Sequence, residues 1–274
     1  MDEIINYFSS IPSSHRAVIL AGGIAFFWII ESAVPFIKFK YSKWQHAGIN
    51  IFFTITTLLV NFCLAFILLK TASWATEHHF GLLEWLPKMN IFLFTILGLL
   101  LLDFMGAYLI HFIEHKVKFL WRFHLIHHTD TWIDTTSANR HHPGESVLRF
   151  IFTTLGVVLI GTPMWMVFLY QTLSIVSTQF THANISLPKK LDRLISYILV
   201  SPDMHKVHHH NVLPYTDSNY GNIFAVWDRL FGTFSYLDKN KIVYGIDTHM
   251  DPKENNSLGN LIKIPFQKKR IPSA

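Results

Sequence analysis

Three apolar runs, residues 17–37, 47–69 and 91–110, each reach the length of about 20 residues that a helix needs to cross a bilayer. Such runs leave a chain few folds. In lipid, every backbone N–H and C=O must find its partner inside the protein, so only helices and closed barrels span a membrane. Runs this long without polar alternation are helical. A fourth region, residues 147–180, is broken by Gly161-Thr162-Pro163. Gly and Pro punctuate turns, so this region reads as a helical hairpin whose first arm, up to Ile160, is short for a full crossing. Composition agrees: half of the 274 residues are hydrophobic and 15% are charged, against roughly 25% in soluble domains.

The single cysteine, Cys63, lies within an apolar run and is expected to be a small core hydrophobe. One thiol excludes a disulfide framework or a thiolate metal site within the chain. No basic segment with a small-residue cleavage site precedes the first run, so no cleaved signal peptide is expected.

Charge sets the expected topology. With the spans drawn above, residues 38–43, 111–149 and 181–274 share one side and hold 20 of the 23 Lys and Arg. Only Arg16, Lys70 and Lys88 lie elsewhere. The positive-inside rule places the basic side in the cytoplasm. The net charge of +5 therefore speaks for membrane topology and not for nucleic acid. Fourteen of the 17 histidines fall on the cytoplasmic side, whereas His15, His78 and His79 fall opposite.

The expected architecture is all-α: a polytopic membrane bundle of about four to five helices with a cytosolic helical cap built from residues 111–145 and 181–250. Residues 1–99 form the N-terminal spans, residues 100–250 the unit that carries the histidines, and residues 251–274 a polar, basic, loose tail.

The histidines are patterned. His111 and His115 are four residues apart. His124, His127 and His128 follow the spacing i, i+3, i+4, and His205, His208 and His209 repeat it. Each set shares one helix face. Eight imidazoles exceed one tetrahedral zinc site and suit two metals with about four nitrogens each. Imidazole serves iron, zinc, copper and nickel, and spacing alone does not choose among them. Open positions on such ions suit activation of O2 against an unactivated C–H bond.

At these residues the chain resembles the fatty acid hydroxylase and sterol desaturase superfamily. The resemblance is carried by DFMGAYLIHFIEHKVKFLWRFHLIHHTDTWIDTTSANRHHPGE, by THANISLPKKLDRLISYILVSPDMHKVHHH and by YTDSNYGNIFAVWDRLFGTF, covering roughly residues 100–236. It implies two non-haem irons, O2 as cosubstrate and oxidation of a lipid C–H bond, with hydroxylation expected first and desaturation on the same scaffold as the alternative. A metal transporter and a zinc-bound protein without redox activity are the more distant readings. The implied ligands are His111, His115, His124, His127, His128, His205, His208 and His209, with His182 as a ninth. Two departures stand out. Phe112 occupies a position where many bacterial members have Arg, and His182 is alone where fatty acid 2-hydroxylases carry a further HxxxH. The implied location is the cytoplasmic membrane of a bacterium, with the clusters on the cytoplasmic face.

Four residues are expected to support the metals. Asp103 is a carboxylate inside a span, a costly placement that usually signals function. Glu114 lies between the first two ligands, and His142 is expected behind the ligands or at a substrate gate. Asp228 is the fourth, with Asp130, Asp134, Glu145 and Asp217 as further candidates. Asn219-Tyr220-Gly221 and Trp227 are expected to shape the cap without touching the metals. The chain has no dinucleotide fingerprint, haem motif or iron–sulfur cysteines. Electrons must then come from a separate reductase, ferredoxin or cytochrome docking on the basic face.

Overall fold

The computed structural model describes residues 1–268. Among these the chain is helical, with two isolated β-bridges and no strand. A short helix α1 (Asp2–Ser9) precedes α2 (Ser13–Ala33) and the long α3 (Lys43–Glu77). A single turn, α4 (Leu82–Trp85), leads to α5 (Ile91–Asp103), which continues through a π-helical stretch (Phe104–Leu109) into α6 (Ile110–Lys116). Next come α7 (Lys118–His128), the hairpin α8 (Pro143–Ile160) and α9 (Met164–His182), α10 (Lys189–Ile195), α11 (Pro202–His208) and α12 (Val226–Leu230). Two turns, α13 (Pro252–Asn255) and α14 (Leu258–Lys263), close the described chain.

Among the described residues, four segments are long and apolar enough to cross a membrane: Ser13–Ala33, Lys43–Trp85, Ile91–Lys116 and Pro143–Ile160. The protein is an integral membrane helical bundle. In their most apolar 18-residue stretches the first two segments are 6% and 17% buried, and the last two 39% each. The outer pair therefore faces lipid over most of its circumference, while the inner pair forms the packed centre and carries the first histidines.

Several boundaries differ from the sequence expectation. The first helix stops at Ala33, because the residue before Pro35 disfavours helical geometry. The second runs on to Glu77. The first hairpin arm starts at Pro143, so it has 18 residues and is long enough to cross. Its start is fixed by His142, whose Nδ1 accepts the Gly144 N–H at 3.0 Å. Cys63 is exposed on the lipid-facing side of α3, not in the core. The stretch expected as a loose tail is packed as far as it is described. Leu261 and Ile264 are buried against Phe53, Leu125 and Ile126, which ties α14 to α3 and α7. Its basic end, Lys269 and Arg270, lies outside the described residues.

The centre is close-packed. Met166 of α9 fills the space over Gly98 of α5, where a Cβ would meet its Sδ at 2.1 Å. At the hairpin turn, Gly161 has φ +74 and abuts Gly81, whose own φ is +121. A Cβ at Gly161 would lie 2.6 Å from the Phe80 carbonyl oxygen. Gly161→Ala is therefore expected to cost on the order of 1–3 kcal/mol, from left-handed strain and the clash together. A lowered midpoint of thermal unfolding in detergent would show it; an unchanged midpoint would mean that the turn is not held as described.

Candidate metal centre

The histidine sets converge. His111, His115, His124, His128 and His208 bring one nitrogen each to within 4.8 Å of one another, and His127, His182, His205 and His209 do the same. Each group draws on several elements. The first uses α6, α7 and α11; the second uses α7, the end of α9, and α11 with the residue after it. α7 serves both because i and i+4 share a face and i+3 is turned slightly aside. His124 and His128 point to one group and His127 to the other. All nine sequence-predicted ligands are thus brought together, five and four.

Hydrogen bonds at the outer nitrogens fix the tautomers. His111 Nδ1 donates to the Tyr220 carbonyl at 2.9 Å, His208 Nδ1 to the Ser218 carbonyl at 2.7 Å, and His182 Nδ1 to the Thr178 carbonyl at 2.8 Å. A carbonyl only accepts, so the proton sits on Nδ1. His124 Nδ1 faces Glu145 Oε1 at 2.8 Å and His115 Nδ1 faces Asp217 Oδ1 at 3.1 Å, with the same result. In all five rings Nε2 then offers a lone pair.

Those lone pairs meet. His111 Nε2 and His124 Nε2 stand 3.1 Å apart, both as acceptors. His182 Nε2 has one lone pair, yet Nε2 atoms of His127, His205 and His209 approach it at 3.2, 3.1 and 3.3 Å. One lone pair cannot take three donors. The Nε2 atoms of His115 and His208 are buried without a partner among the described residues. A cation resolves all of this. Metal–imidazole bonds of about 2.0–2.1 Å place neighbouring donors about 3 Å apart. The donor set fits a metal in each group.

The electrostatics favour neutral imidazole. Burial pushes the His124 pKa down to about 3, against the pull of Glu145. Burial and mutual repulsion push His127, His128, His205, His208 and His209 well below the ordinary histidine range. Neutral rings are what a metal requires.

The supporting residues divide by what they touch. Glu114 accepts from Arg149 at 2.5 Å and lies 3.7 Å from His124 Nδ1, so it is both an ion-pair partner and a neighbour of a ligand. Asp217 binds His115 and Lys116; burial would raise its pKa, but those two donors outweigh it and the net shift is downward. Asp103 does not reach a histidine ring. Its carboxylate accepts the backbone N–H groups of Ile223 and Phe224, both at 3.2 Å. Asp228 is likewise one step removed: it accepts from the N–H groups of Tyr220 and Gly221, both at 2.8 Å, and burial raises its pKa to about 6. Together they hold the loop whose Tyr220 carbonyl orients His111. His142 touches neither group and caps α8. Asp130 and Asp134 clamp His46 at 2.9 and 3.2 Å.

Tyr220 is closer to the centre than expected. Its ring packs on His111, His115 and His208 at centroid distances of 5.5, 5.1 and 5.8 Å. His141 and Arg149 were not anticipated. His141 stacks on His127 at 4.6 Å, and its Nδ1 lies 2.8 Å from Glu145 Oε1, while Arg149 bridges Glu145 and Glu114. The spacing of 141, 145 and 149 in steps of four was the available signal. His15, His78 and His79 remain apart, beside Tyr7, Trp74 and Glu84.

Fold and site together define a membrane helical protein with two adjacent histidine groups, each able to hold a metal ion. The chain belongs to the fatty acid hydroxylase family, whose sequence profile matches residues 95–233, just over half of it. It is 29% identical to an ornithine lipid hydroxylase of Rhizobium tropici over 51% of this chain and 41% of that protein. It is 31% identical to an alkylglycerol monooxygenase of Danio rerio over 53% of this chain and 31% of that one. A cholesterol 25-hydroxylase-like protein of Danio rerio is 27% identical over 64% and 63%. The chain thus spans less than two thirds of the length of these relatives. No solved structure matches it.

The neutral, buried state of the cluster has a consequence for metal-free protein. Unfolded histidines titrate near 6.5, whereas His124 in the fold titrates near 3. The unfolded chain therefore binds more protons in between, and stability falls as the pH drops through that window. Metal-stripped protein is expected to unfold at a lower temperature at about pH 5 than at about pH 7.5. Equal midpoints would contradict the burial of neutral rings.

Proposed function

We propose that this protein is a membrane lipid hydroxylase. Its nine histidines, His111, His115, His124, His128 and His208 in one group and His127, His182, His205 and His209 in the other, hold two irons. When bound, the irons would supply reductive activation of O2, placing one oxygen atom in a lipid C–H bond and releasing the other as water with two electrons and two protons from outside. The observation that carries this reading is the set of opposed lone pairs in two adjacent, buried all-histidine groups. The hydroxylase and monooxygenase names of the relatives support the reaction class.

The chain's own residues do the positioning. The Tyr220, Ser218 and Thr178 carbonyls and the Glu145 and Asp217 carboxylates hold protons on Nδ1 and aim Nε2 inward. Water is excluded because every ligand ring is buried. The distribution of Lys and Arg supports a cytoplasmic site, where a separate electron carrier reaches it.

Protein purified in mild detergent from cells grown on iron-57 should carry about two irons per chain, magnetically coupled in Mössbauer spectra. With reductant, lipid and 18O2 it should form a hydroxylated lipid that carries the label. His205→Ala and His208→Ala should lose metal and turnover, and His78→Ala neither. Two zincs and no iron, even after anaerobic ferrous reconstitution, would sink the reading.

A further inference from the structure

The cap carries an apolar edge that nothing among the described residues covers. Leu194 of α10, Tyr197 and Ile198 just after it, Leu230 of α12 and Phe231 are each more than half exposed. They form one surface, because the two segments are tied together. The Ala225 N–H donates to the Ile198 carbonyl at 2.9 Å, and Arg229 donates to the Ser196 carbonyl at 2.8 Å while lying over the Tyr197 ring. The charge beside it is of one sign. Lys189, Lys190 and Arg193 are exposed. The acid among them, Asp192, is turned inward, where it accepts from the Ser201 hydroxyl and the Asp203 N–H.

The depth of this edge is set by a spanning helix. Phe231 stacks on Phe104 at 5.6 Å and on Tyr108 at 5.5 Å, and Trp227 meets Phe104 at 5.0 Å. Phe104 lies twelve residues before Lys116, the end of the third span. With its first half π-helical, that stretch places Phe104 on the order of 15 Å below the end of the segment. The edge is therefore continuous with the lipid-facing surface of a membrane helix. Basic residues bordering exposed aromatic and aliphatic side chains are the composition of an interfacial anchor to anionic lipid.

We propose that the edge formed by α10 and α12 is immersed in the leaflet next to the metal centre, with Leu194, Ile198, Leu230 and Phe231 among the acyl chains and Lys189, Lys190 and Arg193 at anionic headgroups. The immersion also sets a route. Phe231 packs on Tyr108, Tyr108 lies 6.2 Å from Tyr220, and Tyr220 packs on His111, His115 and His208. A lipid chain arriving beside Phe231 is two aromatic rings from the candidate ligands. This route rests on the lipid hydroxylase reading; the immersion does not.

The test uses the full chain in nanodiscs of phosphatidylglycerol and phosphatidylethanolamine. In a Cys63→Ser background, Leu194→Cys and Phe231→Cys each receive an environment-sensitive fluorophore, and Lys253→Cys serves as the exposed reference. Lipids bearing a nitroxide at a shallow acyl carbon should quench the labels at 194 and 231 several-fold more than the label at 253. Labels at 194 and 231 that instead respond like 253, quenched by a water-soluble nitroxide, overturn the proposal. So does shielding from both quenchers that disappears on dilution into excess lipid, since a second copy of the chain would then be the occupant. If quenching is found and Phe231→Asp leaves lipid turnover unchanged, the route fails and the immersion stands. If the parent shows no turnover, the hydroxylase reading fails and quenching still decides the immersion.

Discussion

Nine imidazoles bring ring nitrogens to two small volumes, five of them with the Nε2 lone pair turned inward, and the rest of the molecule answers to that arrangement. Opposed acceptors at about 3 Å repel unless a cation lies between them. Protons are a poor solution, because charged rings in so buried a place would be strongly disfavoured. His124 shows the scale: even with the Glu145 carboxylate at 2.8 Å, burial holds its pKa to about 3. A metal would supply the charge at the point of convergence without protonating any ring. The apparent frustration of the cluster is thus a specification for its occupant.

Holding the rings in this state takes a second layer built from distant parts of the chain. Asp228 fixes the Tyr220 and Gly221 N–H groups, and Asp103 fixes those of Ile223 and Phe224. Between them they immobilise the loop that presents the Tyr220 carbonyl to His111. Gly221 is required there, since a Cβ would lie 2.8 Å from both an Asp228 oxygen and the Phe224 carbonyl. On the other side, His46, Asp130 and Asp134 lock the segment that follows His128, and Arg140 reaches the Ile126 and Asn255 carbonyls and the Asn50 side chain. Asp130 shows the balance: burial alone would raise its pKa, but His46 and Arg140 drive it well down. A buried charge kept this way is costly to orphan, so losing any one of these partners is expected to destabilise the fold although none of them is a candidate ligand.

How much of this could be read from the residues follows from the range of each interaction. The one-faced sets 111/115, 124/127/128 and 205/208/209 are local, and helix periodicity exposes them directly. Their gathering on one side follows from the apolar runs. The roles of Asp103 and Asp228 are long-range contacts to backbone groups, and backbone donors leave no mark in a sequence. Tyr220 escaped for the same reason: its carbonyl orients His111, and only folding puts its ring on three histidines. His142 caps α8, a local role that the histidines around it mask. The packed segment after residue 250 was misread because its polar composition hides the few apolar residues, Leu261 and Ile264, that anchor it.

All nine candidate ligands fall within residues 95–233, the stretch matched by the family profile, but the residues that brace them do not all do so. Glu31 of α2 accepts the N–H groups of Thr135 and Asn184, the second of which lies two residues after His182. His46 of α3 holds Asp130 two residues after His128. Lys43 pairs with Glu31 at 3.3 Å, and Leu261 of α14 packs against the base of α7. Parts of the chain outside the matched stretch therefore bear directly on loops that carry ligands. A cluster placed wholly on one rigid span would be insulated from its neighbours. This one is assembled where spans, cap and closing helices meet, so a change in how the first two spans pack has a mechanical path to the position of His128 and His182. The lipid-facing helices are in this sense part of the site's construction.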